Sequence, residues 1–265
     1  MNRYRKPRHT SITGKTLLVC GASAGIGREV ARQAAAHAST VVVLARRAAP
    51  LDELAGEIEA RNCKAVPIAV DVSDTAAARS AVRRAVEAVG RIDVALLNVG
   101  QGPAFHLARA GAAEILANMD ANYRVTVNML VPLIAQMKQQ RDGLIVHTNS
   151  LAGLVGVPMQ GPYSAAKGAC RLLIDTARTE LRPYRVRFMS VYPGFVATER
   201  VGGNGIPAPF EISAADAAAR ILRAIQGRRH DVLFPAPTAM LIRLLRILPK
   251  TVAGRIMLRF TPSDY

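Results

Sequence analysis

Two residues of this chain have the types and the spacing needed for proton transfer. Tyr163 is followed four residues later by Lys167, and it is the only one of the 6 tyrosines with a lysine at that spacing. Residues i and i+4 share one face of a helix. An ammonium group beside a phenol stabilises the phenolate, so the phenol can exchange a proton near neutral pH. The spacing therefore predicts a general acid/base, although a chance pair on a solvated helix face would look the same.

A serine upstream favours the chemical interpretation of this pair. Ser150 follows an apolar run at residues 144–147, in a short polar segment at residues 148–150. A hydroxyl group at the end of a buried strand could hold the carbonyl group of a substrate. We therefore predict that Ser150 belongs to the same site as Tyr163 and Lys167.

A glycine-rich turn near the start of the chain is a candidate nucleotide site. Gly21, Gly25 and Gly27 lie between an apolar run and a helical stretch, with Ser23 and Ile26 among them. Glycines at such a turn let the backbone approach a pyrophosphate, and the helix that follows offers free N–H groups and the positive end of its dipole. The spacing is G-x-x-x-G-x-G, which differs from the G-x-G-x-x-G of other dinucleotide folds.

The residues after the second apolar run indicate which nucleotide is bound. An acid at this position would accept hydrogen bonds from the adenosine ribose and repel a 2′-phosphate. Here the chain supplies Arg46 and Arg47, which can form charge-assisted hydrogen bonds to phosphate. We therefore predict NADP(H) rather than NAD(H). The alternative is a solvated arginine pair in a surface loop.

Two more apolar runs end in residues suited to a nucleotide. Asp71 and Val72 follow the third run, and Asn98 and Gly100 follow the fourth. Ligands of open α/β sheets lie at the carboxyl ends of the strands. Asp71 could accept a hydrogen bond from the adenine amino group, and Gly100 would let the chain pass close to the ribose. Alternatively, Asp71 caps the next helix together with residues 73–74.

The elements that must position these residues alternate along the chain. Apolar, β-branched runs predict buried strands at residues 17–19, 41–44, 66–70, 94–97, 144–147, 187–191 and 232–234. Alanine-rich stretches predict helices at residues 26–36, 51–61, 75–89, 112–139, 163–181 and 216–226. Strands without polar alternation are typical of a parallel sheet that is covered on both faces. We predict an α/β fold with a doubly wound, Rossmann-like parallel sheet.

Length and composition are consistent with one folded domain. The chain has 265 residues, of which 50% are hydrophobic and 20% charged, enough for a full core and too apolar for disorder. We predict a basic tail at residues 1–12, a catalytic domain at 13–235 and a C-terminal helical extension at 236–265. The 3 cysteines are far apart and lack metal-ligand spacing, which predicts a reduced intracellular protein without a metal site.

The formal net charge of +16 raises the question of acidic partners. Such a field could attract nucleic acid, anionic lipid or a phosphorylated ligand. The sequence has no helix-turn-helix spacing, zinc knuckle or aromatic stacking platform, so we predict no nucleic-acid partner. The basic start lacks the apolar core of a secretory signal, and no uncharged stretch is typical of a spanning helix. We therefore expect a cytoplasmic protein.

The C-terminal extension leaves three roles open. Residues 238–260 mix aliphatic side chains with Arg243, Arg246 and Lys250, and Pro249 should split them into two short helices. Apolar mass with interspersed cations suits a helix that lies in a membrane interface, so we expect a peripheral membrane contact. The same residues could instead pack on the domain or cover a partner subunit.

A segment before this extension is a candidate lid over the substrate. Residues 199–210 are rich in glycine and then apolar, as suits a mobile loop, although an ordinary surface loop would look similar. Ile206, Pro207 and Phe210 indicate an apolar substrate, such as a lipid-like or cyclic ketone. His106 and Met159 could line the same pocket, or serve only in loop packing.

Together these motifs resemble the single-domain branch of the short-chain dehydrogenases/reductases. The resemblance covers residues 13–234 and includes the run P-G-F-V-A-T at residues 193–198. It implies that Tyr163 is the general acid/base, that Ser150 orients the substrate carbonyl, and that Lys167 binds the nicotinamide ribose. It also implies that Asn122 holds a water molecule for the proton relay.

The resemblance further implies cofactor contacts and an assembly. Thr198 and the backbone before it would contact the carboxamide and the phosphates; the residues of this run that we assign to the cofactor are Pro193, Gly194, Val196 and Thr198. A homodimer would form through the helices that begin near residues 112 and 163. Cys20 stands where the family has threonine, and Leu97 and Val99 replace asparagine and alanine. We expect these changes to alter cofactor affinity and to leave the chemistry intact.

The leading hypothesis is an NADP(H)-dependent oxidoreductase. It would transfer a hydride between the nicotinamide and an apolar ketone or secondary alcohol. The alternative is a non-catalytic dinucleotide sensor or scaffold with the same fold. Such a protein needs no proton donor, so the set of Ser150, Tyr163 and Lys167 favours the enzyme.

Overall fold

A parallel sheet carries the fold, and its strands are apolar because both of its faces are covered. The computed structural model describes residues 11–198, 208, 210–227, 229–259 and 261. The strands are β1 (Thr16–Cys20), β2 (Thr40–Ala45), β3 (Lys64–Ala69), β4 (Val94–Leu97), β5 (Gly143–Thr148), β6 (Val186–Pro193), β7 (Val196–Ala197), β8 (Ile212–Ser213) and β9 (Asp231–Phe234).

Seven of these strands form one sheet in the order β3-β2-β1-β4-β5-β6-β9, and all of its pairs are parallel. The order reverses beside β1, which pairs with β2 on one side and with β4 on the other. A ligand crevice lies outside the carboxyl ends of the strands at such a reversal. The prediction of a doubly wound, Rossmann-like sheet is confirmed. The separate pair β7 and β8 lies beyond β6 in the chain.

Helices cover both faces of the sheet. They are α1 (Gly25–Ala34), α2 (Ala48–Glu59), α3 (Thr75–Val89), α4 (Ala112–Met119), α5 (Val125–Gln140), α6 (Gly161–Glu180), α7 (Ala214–Gln226), α8 (Ala236–Ile247) and α9 (Lys250–Leu258). One apolar core lies between the sheet and α1, α2 and α7, and another lies between the sheet and α3, α5 and α6. Together these layers hold the strand ends rigidly enough to serve as a platform for a site.

The helical stretch predicted at residues 112–139 is confirmed, but it is not one regular α-helix. The chain forms α4, then a π-helical turn at Asp120–Arg124, and then α5. A π turn inserts one residue into the helical repeat and often marks a functional position. Asn122 lies at the centre of this turn and is fully buried. The π-helical turn could not be predicted from the sequence, because the composition is similar before, within and after it.

The two helices of the C-terminal extension lie on either side of Pro249 and pack against the end of the sheet. Thr238, Ala239, Ile242 and Leu245 form the buried face of α8. Their apolar neighbours include Leu151 and Tyr192, in a third core cluster. Across the described part of the chain, no helix is both long enough and apolar enough to cross a membrane.

Candidate active site

The glycine turn between β1 and α1 is shaped to receive a phosphate group. Gly21 and Gly25 have φ angles of +88° and +55°, which side chains other than glycine rarely adopt. A Cβ atom at Gly27 would collide with the carbonyl oxygen of Gly21. The N-cap residue Ala24 makes no side-chain cap, and the first turn of α1 holds no acid. The N–H groups of this helix end are therefore left to an anion such as a pyrophosphate.

Two distant segments meet this turn. A Cβ atom at Gly21 would collide with the backbone oxygen of Asn98, which follows β4, so the two strand ends lie in close contact. On the other side, a Cβ atom at Gly25 would lie 3.0 Å from the Cγ2 atom of Thr198. Ile26 is half-buried against the core beneath the turn. The turn, Asn98 and Thr198 thus form one wall of the crevice.

The run that ends at Thr198 is held by the last strand of the sheet. β6 ends at Pro193, and the N–H group of Gly194 donates to the carbonyl of Phe234 at 2.7 Å. Val196 is buried in β7. The loop between β6 and β7 is therefore fixed at both ends before it reaches the glycine turn. The predicted lid follows it, but residues 199–207 and 209, with Ile206 and Pro207, lie outside the described part of the chain.

The two arginines after β2 have different neighbours. The guanidinium of Arg47 lies 3.4 Å from both the carbonyl and the hydroxyl oxygen of Ser23 in the glycine turn. Arg46 lies on the side of Asp71, whose carboxylate it affects electrostatically. Both arginines are exposed. A phosphate group near Ser23 would therefore meet the positive charge of Arg47 at the entrance of the crevice.

Asp71 makes the local contact that the capping alternative predicts. Its Oδ1 atom accepts a hydrogen bond from the N–H group of Ser73 at 2.9 Å, while Asp74 caps α3 by accepting from Ala77. The hydrogen bonds from Ser73 lower the pKa of Asp71, and the charge of Arg46 adds to the effect. Val72 beside it is buried. The carboxylate thus shapes the turn before α3, and its contact with adenine stays a prediction.

Lys167 is a buried cation beneath Tyr163. Its side chain is on α6, and the residue is 3% exposed. The Nζ atom donates to the carbonyl oxygen of Thr148 at 2.9 Å and lies 5.7 Å from the centre of the Tyr163 ring. The ammonium group and the phenol ring are therefore neighbours in a poorly solvated site. The half-buried Tyr163 is thus placed to release or accept a proton.

Gly100 joins this pair to the π-helical turn. A Cβ atom at Gly100 would collide with the Oδ1 atom of Asn122 and lie 3.2 Å from the Nζ atom of Lys167. The same Oδ1 atom accepts from the N–H group of Gln101 at 3.0 Å, and the Nδ2 atom of Asn122 donates to the carbonyl of Gln101 at 2.8 Å. Asn122 therefore fixes the loop after β4 directly against Lys167.

Ser150 is held by a neighbour that the sequence did not single out. Asn149 is 2% exposed. Its Oδ1 atom accepts from the N–H group of Ser150 at 2.8 Å, and its Nδ2 atom donates to the carbonyl of Lys167 at 3.0 Å. The Oγ atom of Ser150 accepts from the N–H group of Ala152 at 3.1 Å. Asn149 thus ties the serine to the helix that carries Lys167; its only signal in the sequence is a polar residue directly before Ser150.

A buried histidine beneath the site was also missed. His147 lies in β5 with no exposed surface, and neither ring nitrogen has a hydrogen-bond partner among the described residues. Burial, with the charge of Lys167 adding to it, lowers the pKa of His147 well below its usual range. The ring therefore stays neutral below the buried ammonium.

Burial also raises the pKa of Cys20 to about 12, so this thiol is an inert core group.

Two loops flank Tyr163 where a substrate would enter. The N–H group of Phe105 donates to the carbonyl of Met159 at 2.7 Å, which joins the loop after β4 to the loop before α6. A Cβ atom at Gly102 would lie 3.1 Å from the Tyr163 ring, so the first loop runs across the phenol. His106 is half-buried in the same loop. Phe210, at the end of the predicted lid, is 61% exposed.

Comparisons with known proteins agree with this geometry. The family model described as short chain dehydrogenase matches residues 15–205. The chain is 30% identical over 235 residues to an uncharacterized oxidoreductase of Myxococcus xanthus, covering 89% of this chain and 93% of the relative. It is 32% identical over 233 residues to the ketoacyl reductase HetN of Nostoc, covering 84% and 79%.

A solved structure is similar over almost the whole chain. It is a short chain dehydrogenase from Burkholderia cenocepacia in complex with NADP, with a TM-score of 0.81 and 26% identity. The match covers 95% of this chain and 100% of that one. The similarity therefore includes both the sheet and the crevice at its carboxyl end.

Proposed function

The chain is an oxidoreductase of the short-chain dehydrogenase family, and we propose that it transfers a hydride between NADP(H) and an apolar ketone or secondary alcohol. The resemblance based on its motifs is confirmed by the family match. One observation carries the proposal: Gly100 and Asn122 meet Lys167 where β4 and β5 end. Tyr163 lies beside them, with the centre of its ring 5.7 Å from the Nζ atom of Lys167.

The residues of this site have separate tasks in the proposed reaction. Bound NADPH supplies the hydride, and NADP⁺ accepts it in the reverse direction. Tyr163 gives its phenol proton to the carbonyl oxygen during reduction, and Ser150 holds that oxygen by a hydrogen bond. Lys167 stabilises the negative charge left on the phenol oxygen. Asn122 keeps the loop at Gly100 in place beside the lysine.

The glycine turn supports the binding of a dinucleotide. Its positive φ angles and the uncapped start of α1 fit a pyrophosphate. Arg47 beside Ser23, with Arg46 next to it, supports a 2′-phosphate and hence NADP(H). The similar dehydrogenase of Burkholderia cenocepacia is in complex with NADP, which is consistent with this preference.

Apolar loops support an apolar substrate. Phe105 and Met159 belong to the two segments that flank Tyr163, and Leu107 lies beside Gly161 at the start of α6. A carbonyl group with aliphatic substituents would bury its apolar surface against these segments and direct its oxygen to the phenol. The ketoacyl reductase among the relatives acts, by its name, on a substrate of this general kind.

The catalytic test is the replacement of the proposed proton donor. Tyr163→Phe should retain NADPH binding and lower kcat by about 10²–10⁴-fold, which is the usual contribution of general acid–base catalysis. Loss of NADPH absorbance is followed with ketones of increasing chain length. Tyr184→Phe is the matched control, because Tyr184 also has a lysine over its ring, Lys138 at 4.4 Å, but follows α6 at the opposite end from Tyr163. Near-normal turnover by Tyr163→Phe would refute the mechanism.

Cofactor preference is tested at the two arginines. Arg46→Asp and Arg47→Asp should each weaken NADPH binding by charge repulsion and improve NADH binding. We expect the larger effect at Arg47, since it is the one that reaches Ser23. Titration of both reduced cofactors is compared with Arg84→Asp on α3 as control. A wild-type protein that prefers NADH would contradict the assignment.

A further inference from the structure

The C-terminal helices leave one apolar face uncovered. The buried side of α8 packs on the domain. This packing is one of the three roles that the sequence left open for the extension. Its other side shows Met240, Leu244 and Ile247, which are 68%, 48% and 80% exposed. Positions i, i+4 and i+7 form one stripe along a helix. In α9, Val252 and Leu258 are also exposed, at 40% and 59%. We call the three exposed side chains of α8, Met240, Leu244 and Ile247, the outer stripe.

Every charged residue of these two helices is a cation. They are Arg243, Arg246, Lys250, Arg255 and, at the end of α9, Arg259. The sequence holds no acid between Asp231 and Asp264. None of the five cations makes a salt bridge with a residue that the structure describes. Their charge is therefore left to an external partner.

One arginine of α8, Arg243, borders the outer stripe, while Arg246 lies toward the domain. Arg243 lies three residues after Met240 and four before Ile247, so it shares their side of the helix. Arg243 and Arg246 also line a cavity of about 370 Å³ between α6, β9 and α8. The acids of that cavity, Asp175 and Asp231, both pair with Arg178 instead. Apolar and cationic groups thus lie side by side on one exposed surface.

We propose that the outer stripe and its flanking cations dock the enzyme on an anionic phospholipid surface. Aliphatic side chains between arginines match an interface in which acyl chains lie below phosphate head groups. A nucleic acid would satisfy the cations and leave the stripe in water. The helices have 12 and 9 residues, which is too short to cross a bilayer and suits an orientation parallel to it. This docking does not depend on the cofactor or substrate of the active site.

Vesicle sedimentation tests the proposal with the full chain. Wild type should partition onto phosphatidylcholine vesicles that contain phosphatidylglycerol, and only weakly onto phosphatidylcholine alone. Molar salt should release it, because the Debye length falls to about 3 Å. The charge variant Arg243→Glu/Arg246→Glu should lower the partition coefficient at least about 30-fold, since each cation near an anionic surface contributes about fivefold. These substitutions leave the buried face of α8 unchanged. A truncation of the C-terminal helices would remove that face from the core.

Matched variants separate a specific surface from the general effect of the net charge. Arg79→Glu/Arg84→Glu makes the same charge change on exposed positions of α3 and should lower partition only slightly. Ile247→Ser should lower it about tenfold, while Ile247→Leu should retain it, because only the first loses buried apolar area in the membrane. Both Ile247 variants and the α3 variant should keep the wild-type melting temperature.

Three results would overturn the proposal. One is the absence of wild-type binding to the anionic vesicles. Another is an equal loss of binding from the α3 and α8 charge variants, which would assign the effect to net charge alone. The third is unchanged vesicle binding by Ile247→Ser together with a lower particle mass in analytical ultracentrifugation. That outcome would make the outer stripe a contact between two copies of the chain.

Discussion

Asn149 should contribute to stability and to catalysis at once, and the structure gives the size of both effects. Its side chain makes two buried hydrogen bonds, to the N–H group of Ser150 and to the carbonyl of Lys167. Asn149→Ala leaves the N–H group of Ser150 without this partner, at about 1–3 kcal/mol, and removes one hydrogen bond of about 1 kcal/mol from the carbonyl of Lys167, which lies within α6. We therefore expect the free energy of unfolding to fall by about 2–4 kcal/mol. The serine and the lysine lose their common support, so kcat should fall about 10–100-fold.

The assay compares Asn149→Ala with a second buried asparagine. Asn128 makes hydrogen bonds of the same kind, donating to the carbonyls of Val72 and Ser73 at 2.9 and 3.1 Å, but it lies away from the proton-transfer residues. Urea unfolding should show a similar loss of stability in both variants. Turnover at saturating NADPH should fall only in Asn149→Ala. If kcat is unchanged there while stability falls, Asn149 is a structural residue and the reasoning is wrong.

Two other predictions concern stability and assembly. The lowered pKa of His147 means that only the unfolded chain takes up its proton below about pH 6.5, so stability falls with decreasing pH by up to about 1.4 kcal/mol per unit. His147→Leu should reduce the dependence of stability on pH, measured by urea unfolding at several pH values. The exposed His37→Gln should leave that dependence as in the wild type. Equal slopes in the two variants would contradict the prediction for His147. Leu172 on α6 is 58% exposed on the helix through which we propose a homodimer. Leu172→Glu should therefore yield a monomer in analytical ultracentrifugation, and an unchanged mass would place the interface elsewhere.

The strands could be predicted because the fold makes their sequences distinctive. A strand buried on both faces needs apolar residues throughout, and β1 and β4 are runs of that kind. β3 was less accurately predicted, since it begins at Lys64 rather than at residue 66. It is the first strand in the sheet order, it pairs with β2, and only Ala65 and Ile68 of its residues are buried. An edge of this kind also tolerates Pro67, which would break a ladder in the sheet interior.

The residues that we propose as catalytic could be singled out because the proposed chemistry depends on side-chain type and spacing. Tyr163 and Lys167 are recognisable from the chain alone, and the glycine turn is recognisable from its position. The residues that were missed act through the backbone of other residues. Thr148 offers Lys167 a carbonyl, and Asn149 holds the main chain on both sides of the site. A main-chain contact imposes no particular residue type on its partner, so no sequence pattern marks it.

The arginine pair shows that the sequence also does not tell which of two neighbouring charged residues reaches a site. In the sequence, Arg46 and Arg47 are equivalent, and both favour a 2′-phosphate. Both residues lie beyond the end of β2, and Arg47 is the N-cap residue of α2, so the connection between strand and helix sets where each side chain goes. Arg47 accordingly reaches Ser23, while Arg46 acts on Asp71 across the end of β3. Charge can be counted from the chain, but which of two neighbouring arginines reaches the glycine turn is decided by the path of the connection between β2 and α2.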